Sequence, residues 1–429
     1  MRLAKRRGSG ENAALVRPVS RSLPRPLAAA VLIGLVAQAL FAWRLATPHT
    51  YVFDEVHYVP AAEVLGRLWG PTNTEHPLLG KTLIALGMRL FGNDPLGWRA
   101  LSTLAGTGVV LGVFAILWLG LGRLRPAVVG ALLAMLNFTV FVEARIAMLD
   151  GFMAAFVVLG LAALLWAMRG TGGAVWRRWL LGGVLLGLAM GCKWTALPYV
   201  ALAGAGFVWL RRGRPDRWPG LPWAAGLGVL GLASGGAYLA TFLPAFFYAS
   251  APMTLGRLIP FQLDMYRQQT EVLPAHAYQS PWYSWPFAYR PIWYFYAPAD
   301  GAQRGILMLG NPAVMWGGLV AVAACLWAGL RHRATPPLLA ALLWIASLAM
   351  WAVIPKSLGF YYYYYLSSIW LAIALAVAFD WWRDRLRYAD EAFLLLSAVL
   401  FVHFYPILAA TALAGPDTFR RWMWLHSWI

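Results

Sequence analysis

The sequence predicts an all-α polytopic membrane protein, and three observations carry that prediction. Hydrophobic residues make up 61% of the 429 and charged residues only 12%, where soluble proteins carry about 25% charged residues. Apolar runs close to the ~20 residues a helix needs to cross the hydrocarbon recur along the chain, bounded by charge or proline. The 35 Lys and Arg outnumber the 17 Asp and Glu, yet they fall between the apolar runs and not in one domain. They therefore read as topology signals, and no nucleic-acid partner is needed to explain them.

The runs lie at 27–46, 99–120, 126–142, 150–168, 178–192, 196–210, 222–247, 312–330, 336–354, 364–382 and 391–413, about eleven crossings. Segment 79–92 is apolar but short and carries Lys81 and Arg89, so it lies along the interface or re-enters. With the N-terminus inside, Lys and Arg gather in 1–26, 121–126, 168–178, 211–221, 331–333 and 382–388, all on the inner side. This divides the chain into a basic cytoplasmic tail (1–26), one membrane domain (27–413) and a C-terminal tail (414–429). The first crossing reads as a retained signal anchor. Two long loops, about 47–97 and 248–311, are left outside. Cys192 and Cys325 both sit in apolar segments, which excludes a disulfide framework and a thiolate zinc site.

The first outer loop begins with Asp54-Glu55, followed by His57, just after a crossing. Paired acids at a membrane boundary need cationic partners or do proton chemistry, because like charges held close raise one another's pKa. Asp54 would serve as a general base, or as the N-cap of a helix over 56–68. Farther along come Glu75, His76 and Lys81, then Arg99. Lys as a point charge and Arg as a fork suit a phosphate, and both residues also snorkel at helix ends. Arg145 and Asp150 stand in a short outer loop, where each faces another loop or the two close a hairpin. The second long loop is dense in aromatics around Trp282, Trp285 and Arg290, either an interfacial belt or a groove for a sugar, peptide or isoprenoid. A last outer loop has Lys356 and the run Tyr361 to Tyr365, phenols that sit in a belt or reach phosphate and sugar oxygens.

Several stretches together are similar to the protein O-mannosyltransferases of the GT-C glycosyltransferase superfamily, in their short bacterial form. These are FDEVHY, HPLLGKTLIALG with GWRALSTLAGT, EARIAMLDGFMAAF, GLAMGCKWTAL, SPWYSWPFAYRPIWYFY and LGNPAVMWGG, in family order from about residue 50 to residue 320. The resemblance implies a GT-C fold whose catalytic loops face outward. It also implies transfer of mannose from a polyprenyl-phosphate carrier to Ser or Thr hydroxyls of exported proteins, in the plasma membrane of a bacterium. By position it makes Asp54 the catalytic acid and Glu55 its neighbour, with Lys81, Arg99 and Arg145 toward the donor phosphate. His57, Glu75, His76, Asp150, Lys193, Trp282, Trp285 and Arg290 fall on or near the active-site loops. Leu78 stands where the family has a second proline, and Glu75-His76-Pro77 is similar to a motif of the aminoarabinose transferases that act on lipid A. A lipid or polysaccharide acceptor is therefore the alternative.

The chemistry implied is a single inverting displacement, with Asp54 deprotonating the acceptor and the cations neutralising the departing phosphate. No nucleotide-sugar motif or Walker pattern appears, as suits a lipid-linked donor. No cofactor is required; a divalent metal near Glu75, His76 or His276 stays open, although scattered histidines do not by themselves make a metal site. A transporter would place ionisable residues in mid-helix and repeat its two halves; here the ionisable residues cluster in the outer loops.

Overall fold

A computed structural model describes residues 25–214 and 216–429, so the basic cluster between Arg2 and Arg21 lies outside the described residues. The described residues are mostly helical, in the order α1 (Arg25–Ala42), α2 (Glu55–Gly66), α3 (Leu79–Phe91), α4 (Pro95–Leu121), α5 (Leu124–Met135), α6 (Phe138–Glu143), α7 (Leu149–Ala167), α8 (Gly173–Cys192), α9 (Leu197–Gly213), α10 (Trp223–Ala240) and α11 (Leu255–Gln269). A two-stranded hairpin follows, β1 (Ile292–Ala299) and β2 (Ala302–Met308), then α12 (Gly318–His332), α13 (Thr335–Ala349), α14 (Tyr365–Trp381) and α15 (Ala389–Phe404).

Among the described residues, eight helices are long and apolar enough to cross a membrane. Three of the expected crossings differ from that group. The run at 126–142 breaks at Asn137 into α5 and α6; α8 has the length but not the apolarity; and α9 has only 17 residues. The break is polar but satisfied. Asn137 Nδ2 donates to Ser368 Oγ at 3.2 Å, and Asn311 Nδ2 donates to the carbonyls of Leu136 and Ser397 at 3.0 and 2.9 Å. Non-helical backbone at membrane depth is tolerated only where protein supplies such partners. The crossing expected at 391–413 also ends early. α15 stops at Phe404, and the Leu413 amide donates to the Gln303 carbonyl beside the hairpin.

α14 is the central helix, with 89% of its apolar window buried, whereas only 17% of that of α1 is buried. On one side α7 packs between α4 and α8, and α8 packs on α10. There a Cβ at Gly187 would strike the Ser234 carbonyl, so only glycine permits the approach. On the other side α12 and α13 pack on α14.

The two long loops fold onto each other. Phe53 N donates to Tyr294 O, Ala249 N to Leu68 O and Ser250 N to Trp69 O, at 3.1, 2.8 and 2.9 Å. α3 is too short to cross, as segment 79–92 suggests, and exposes Leu86, Leu90 and Phe91. α11 is amphipathic: Leu255, Ile259, Leu263 and Tyr266 share an exposed face while Met265 is buried. The hairpin is an addition to the all-α expectation. Its Asp300-Gly301 turn has φ of 49° and 72° at the two residues, and Asp-Gly between aromatic and aliphatic runs is a strong hairpin signal.

Candidate active site

The stretch after α1 carries the acids into the protein. Asp54 occupies the N-cap position of α2 but makes no side-chain capping bond, so the capping role open from sequence is not the one its carboxylate plays. It instead lines a small pocket with Tyr58, Glu75, His76, Lys193, Lys356 and Tyr363. Tyr58 Oη donates to Asp54 Oδ2 at 3.3 Å, its one side-chain partner among the described residues. Burial pushes the Asp54 carboxyl above its ordinary value, against the pull of Lys193 and His57.

Glu55, one residue on, is sealed. It is 0% exposed, and Arg99 donates to both its oxygens, Nε to Oε1 and Nη2 to Oε2, each at 2.8 Å. Backbone amides of Val52 and Ala147 complete it at 2.8 Å. The remaining Arg99 donors reach the carbonyls of Leu45, Pro48 and Thr50 at 3.3, 2.9 and 2.7 Å. Arg145 likewise donates to the carbonyls of Phe41 and Trp43 at 2.8 and 2.7 Å. Lys81 is 0% exposed and donates to the carbonyls of Asn73 and His76.

The three cations expected at a donor phosphate are thus engaged with main-chain carbonyls, and none lines the pocket. Helix and loop ends bury carbonyls that need donors, and these side chains meet that need.

Two other cations face the pocket. Lys193, where α8 ends, donates to Asp150 Oδ1 and Oδ2 at 2.9 and 2.7 Å and lies over the rings of Tyr362 and Tyr363, 5.2 and 5.4 Å from their centroids. Asp150 and Arg145 therefore do not pair; each faces another element. Lys356 donates to Gln269 Oε1, and its ammonium is lowered by burial and by Lys193 to about 8. Gln269 Nε2 donates to Glu75 O at 2.6 Å and stands 3.2 Å from His76 Nδ1. An amide NH₂ has only protons to offer, so Nδ1 accepts and the imidazole proton belongs on Nε2. Burial, with Lys193, Lys81 and Lys356, holds His76 well below the ordinary histidine range, hence neutral.

The remaining expected residues are spread out. Glu75 is in the pocket and its carboxylate accepts from Asn73. His57 is exposed on α2. Trp285 is buried, donates to Ser280 Oγ at 3.0 Å and packs on Trp351 and Tyr363. Trp282 packs against Tyr283, and Arg290 donates to the carbonyls of Ser427 and Ile429 at 2.9 and 3.1 Å. The aromatic segment thus supports Tyr363 from behind and does not form the pocket wall. Tyr361, Tyr362, Tyr364 and Tyr365 are buried, so the tyrosine run is not a surface belt. Among the described residues no cluster of three His, Cys, Asp or Glu side chains suits a metal ion.

Sequence reasoning about the site missed Tyr58 and Gln269 and singled out Lys356 only in passing. Tyr58 stands four residues after Asp54, one helical turn along α2, a spacing that signals contact. Gln269 carries no comparable signal.

Comparison with known proteins agrees with this architecture. Residues 75–249 match the family model described as dolichyl-phosphate-mannose-protein mannosyltransferase, and residues 254–428 match the C-terminal four TMM region of protein-O-mannosyltransferase. The chain is 25% identical to a polyprenol-phosphate-mannose–protein mannosyltransferase of Corynebacterium glutamicum, over 88% of each protein. It is 30% identical to the protein of that name from Mycobacterium tuberculosis, covering 70% of this chain and 69% of that one. Its fold superposes on the S. cerevisiae protein O-mannosyltransferase Pmt1-Pmt2 complex bound to the sugar donor, with a TM-score of 0.79 at 13% identity over 95% of this chain and 93% of that one. ArnT from Cupriavidus metallidurans gives 0.59 at 18% identity, over 91% and 67%. The fold is that of the GT-C membrane glycosyltransferases.

Proposed function

The chain belongs to the protein O-mannosyltransferase family, and we propose on that basis that it transfers mannose from a polyprenyl-phosphate carrier to Ser or Thr hydroxyls of exported proteins. The observation that carries the mechanism is the placement of Asp54, a pocket-lining carboxylate with one weak partner beside two ammonium groups. The acceptor oxygen attacks the anomeric carbon, its proton passes to Asp54, and the bond from that carbon to the phosphate oxygen breaks with its electron pair leaving on the phosphate. The sugar inverts in this single step. Lys193 and Lys356 stabilise the charge that grows on the leaving phosphate. The neutral His76 offers Nε2–H to a sugar or phosphate oxygen. Glu55 holds the base's segment in place through Arg99.

A lipid-linked donor must approach from within the bilayer. An apolar gap of about 290 Å³ between α9, α13 and α14, lined by residues such as Leu202, Leu339, Leu343 and Ile373, supports that path for the isoprenoid tail. Basic inner loops favour an extracytoplasmic site in a bacterial plasma membrane. Protein is favoured over a lipid or polysaccharide acceptor by the curated relatives, which are named as protein mannosyltransferases.

The test is purified protein in detergent with radiolabelled polyprenyl-phosphate mannose and a Ser/Thr-rich peptide, with Asp54→Asn as control. Label in the peptide that the mutant loses is the expected result. Donor turnover without labelled peptide would move the acceptor to a lipid or glycan.

A further inference from the structure

The pocket around Asp54 holds about 80 Å³, space for two or three waters at about 30 Å³ each. Pockets for small ligands run to about 300 Å³ and more, so a mannosyl phosphate and an acceptor hydroxyl do not fit until a wall moves. One wall is held by side chains from the end of a single helix. Gln269 of α11 engages Glu75 O, His76 and Lys356, and Thr74 Oγ1 donates to Gln268 Oε1 at 3.0 Å. α11 also contains Pro260, which removes a backbone hydrogen bond and loosens the helix ahead of these glutamines.

Beyond that wall lies a cavity of about 580 Å³, bounded by α11, the segment after α10 and the 71–78 stretch whose residues Glu75, His76 and Pro77 also line the catalytic pocket. This cavity differs in chemistry from the gap beside α13. The gap beside α13 is aliphatic and aromatic, with Arg217 its one charged residue, and suits an isoprenoid. The cavity beneath α11 sets Thr72, Thr74 and Gln268 among Tyr248 and Phe261, with Asp264 pairing Arg257 and Arg267 at 3.1 and 3.4 Å along its rim. Hydrogen-bonding groups interleaved with aromatic rings fit a polypeptide, which presents amides and side chains together. Thr74 with Gln268 and Asp264 with the two arginines are partnered within the protein; a peptide can exchange hydrogen bonds with such groups, and a lipid tail has none to offer.

We propose that the cavity beneath α11 is the acceptor subsite, taking an extended Ser- or Thr-containing polypeptide whose hydroxyl reaches Asp54 when Gln269 withdraws from Glu75 and His76. This rests on the reading of the enzyme as a protein mannosyltransferase. Thr72→Trp and Ala251→Trp, both at lining positions that are not fully buried, fill the cavity from two sides. Each is expected to raise the peptide KM about tenfold or more while the donor KM changes by less than about twofold. The retained donor KM also shows that the variants are folded. In a parallel labelling experiment, a peptide carrying a diazirine residue next to its acceptor Thr should crosslink to residues 248–268, in competition with unmodified peptide.

A rise in donor KM in place of peptide KM, or crosslinks confined to other segments, would overturn the assignment. Normal wild-type transfer with unchanged peptide KM in both variants would overturn the cavity assignment alone. Wild-type protein that turns over donor without labelling any peptide would overturn the acceptor class and with it the parent reading.

Discussion

Asp54 and Glu55 are adjacent carboxylates in opposite situations. Glu55 accepts four hydrogen bonds of 2.8 Å from Arg99 and two backbone amides and is shut away from solvent. Asp54 accepts one long hydrogen bond and looks into a pocket. A fully satisfied carboxylate has no lone pair to spare for a substrate proton, whereas an under-satisfied one in a small pocket is a base held at some cost. The pair is thus divided between a structural anchor and a reactive group, and variants of the two sides should fail in different ways.

The largest effect belongs to the anchor. Arg99→Ala leaves a buried Glu55 and several carbonyls unpaired, and breaking such a pair typically costs about 3–5 kcal/mol. Thermal unfolding in detergent should show a large fall in midpoint for Arg99→Ala. A variant that unfolds like wild type but loses donor affinity would break the comparison and return Arg99 to the phosphate. Asp54→Asn should do the reverse, lowering turnover by about 10²- to 10⁴-fold with the unfolding midpoint unchanged, since Asp54 makes no capping bond for Asn to lose. Near-normal transfer by that mutant would place the base elsewhere.

The pH profile sharpens the same division. Asp54 must be ionised to accept a proton and its pKa is raised, so turnover should fall on acidification at a pH above the ordinary carboxylate range. Lys356 is charged below about 8 and neutral above it. If its charge holds the donor phosphate, donor KM should climb by about tenfold or more as pH rises past that value, the scale of a charged hydrogen bond. Lys356→Arg keeps its charge at every accessible pH and should abolish the alkaline rise. An unchanged alkaline limb in Lys356→Arg would remove Lys356 from donor binding.

Much of this protein was legible in the residues. Apolar spacing located the eight helices that are long and apolar enough to cross, but it did not show the shortfall of α8 and α9, the break at Asn137 or the early end after Phe404, where side-chain amides and the hairpin intervene. The acid pair, Glu75, His76 and Lys193 were legible as candidates because ionisable residues are costly at a membrane face. What the spacing did not reveal was which cation serves the backbone. Arg99 and Arg145 meet carbonyls of residues 41–50, more than fifty positions or close to it away in sequence but adjacent after folding. A basic residue in an outer loop looks the same in the sequence whether it faces a carbonyl or a phosphate. Gln269 was hidden for a related reason, since its importance comes from two acceptors and one ammonium that meet only when α11 folds back over the first loop.

The smallest expected effect tests how little Asp54 is held. Tyr58 lies one turn along α2 and donates to Asp54 at 3.3 Å, near the limit of a useful hydrogen bond. Deleting that hydroxyl in Tyr58→Phe removes a donor that favours the ionised carboxylate, so the Asp54 pKa should move further upward and the acid limb should shift to higher pH. At neutral pH the loss in turnover should be about two- to tenfold, the value of one ordinary hydrogen bond. The ring remains, so its edge-on packing against His76, with centroids 5.7 Å apart, is kept. A loss of about a hundredfold or more in Tyr58→Phe would mean that the phenol itself handles a proton or contacts substrate, and the division between an anchored Glu55 and a lightly held Asp54 would then have to include Tyr58 as a reactive member.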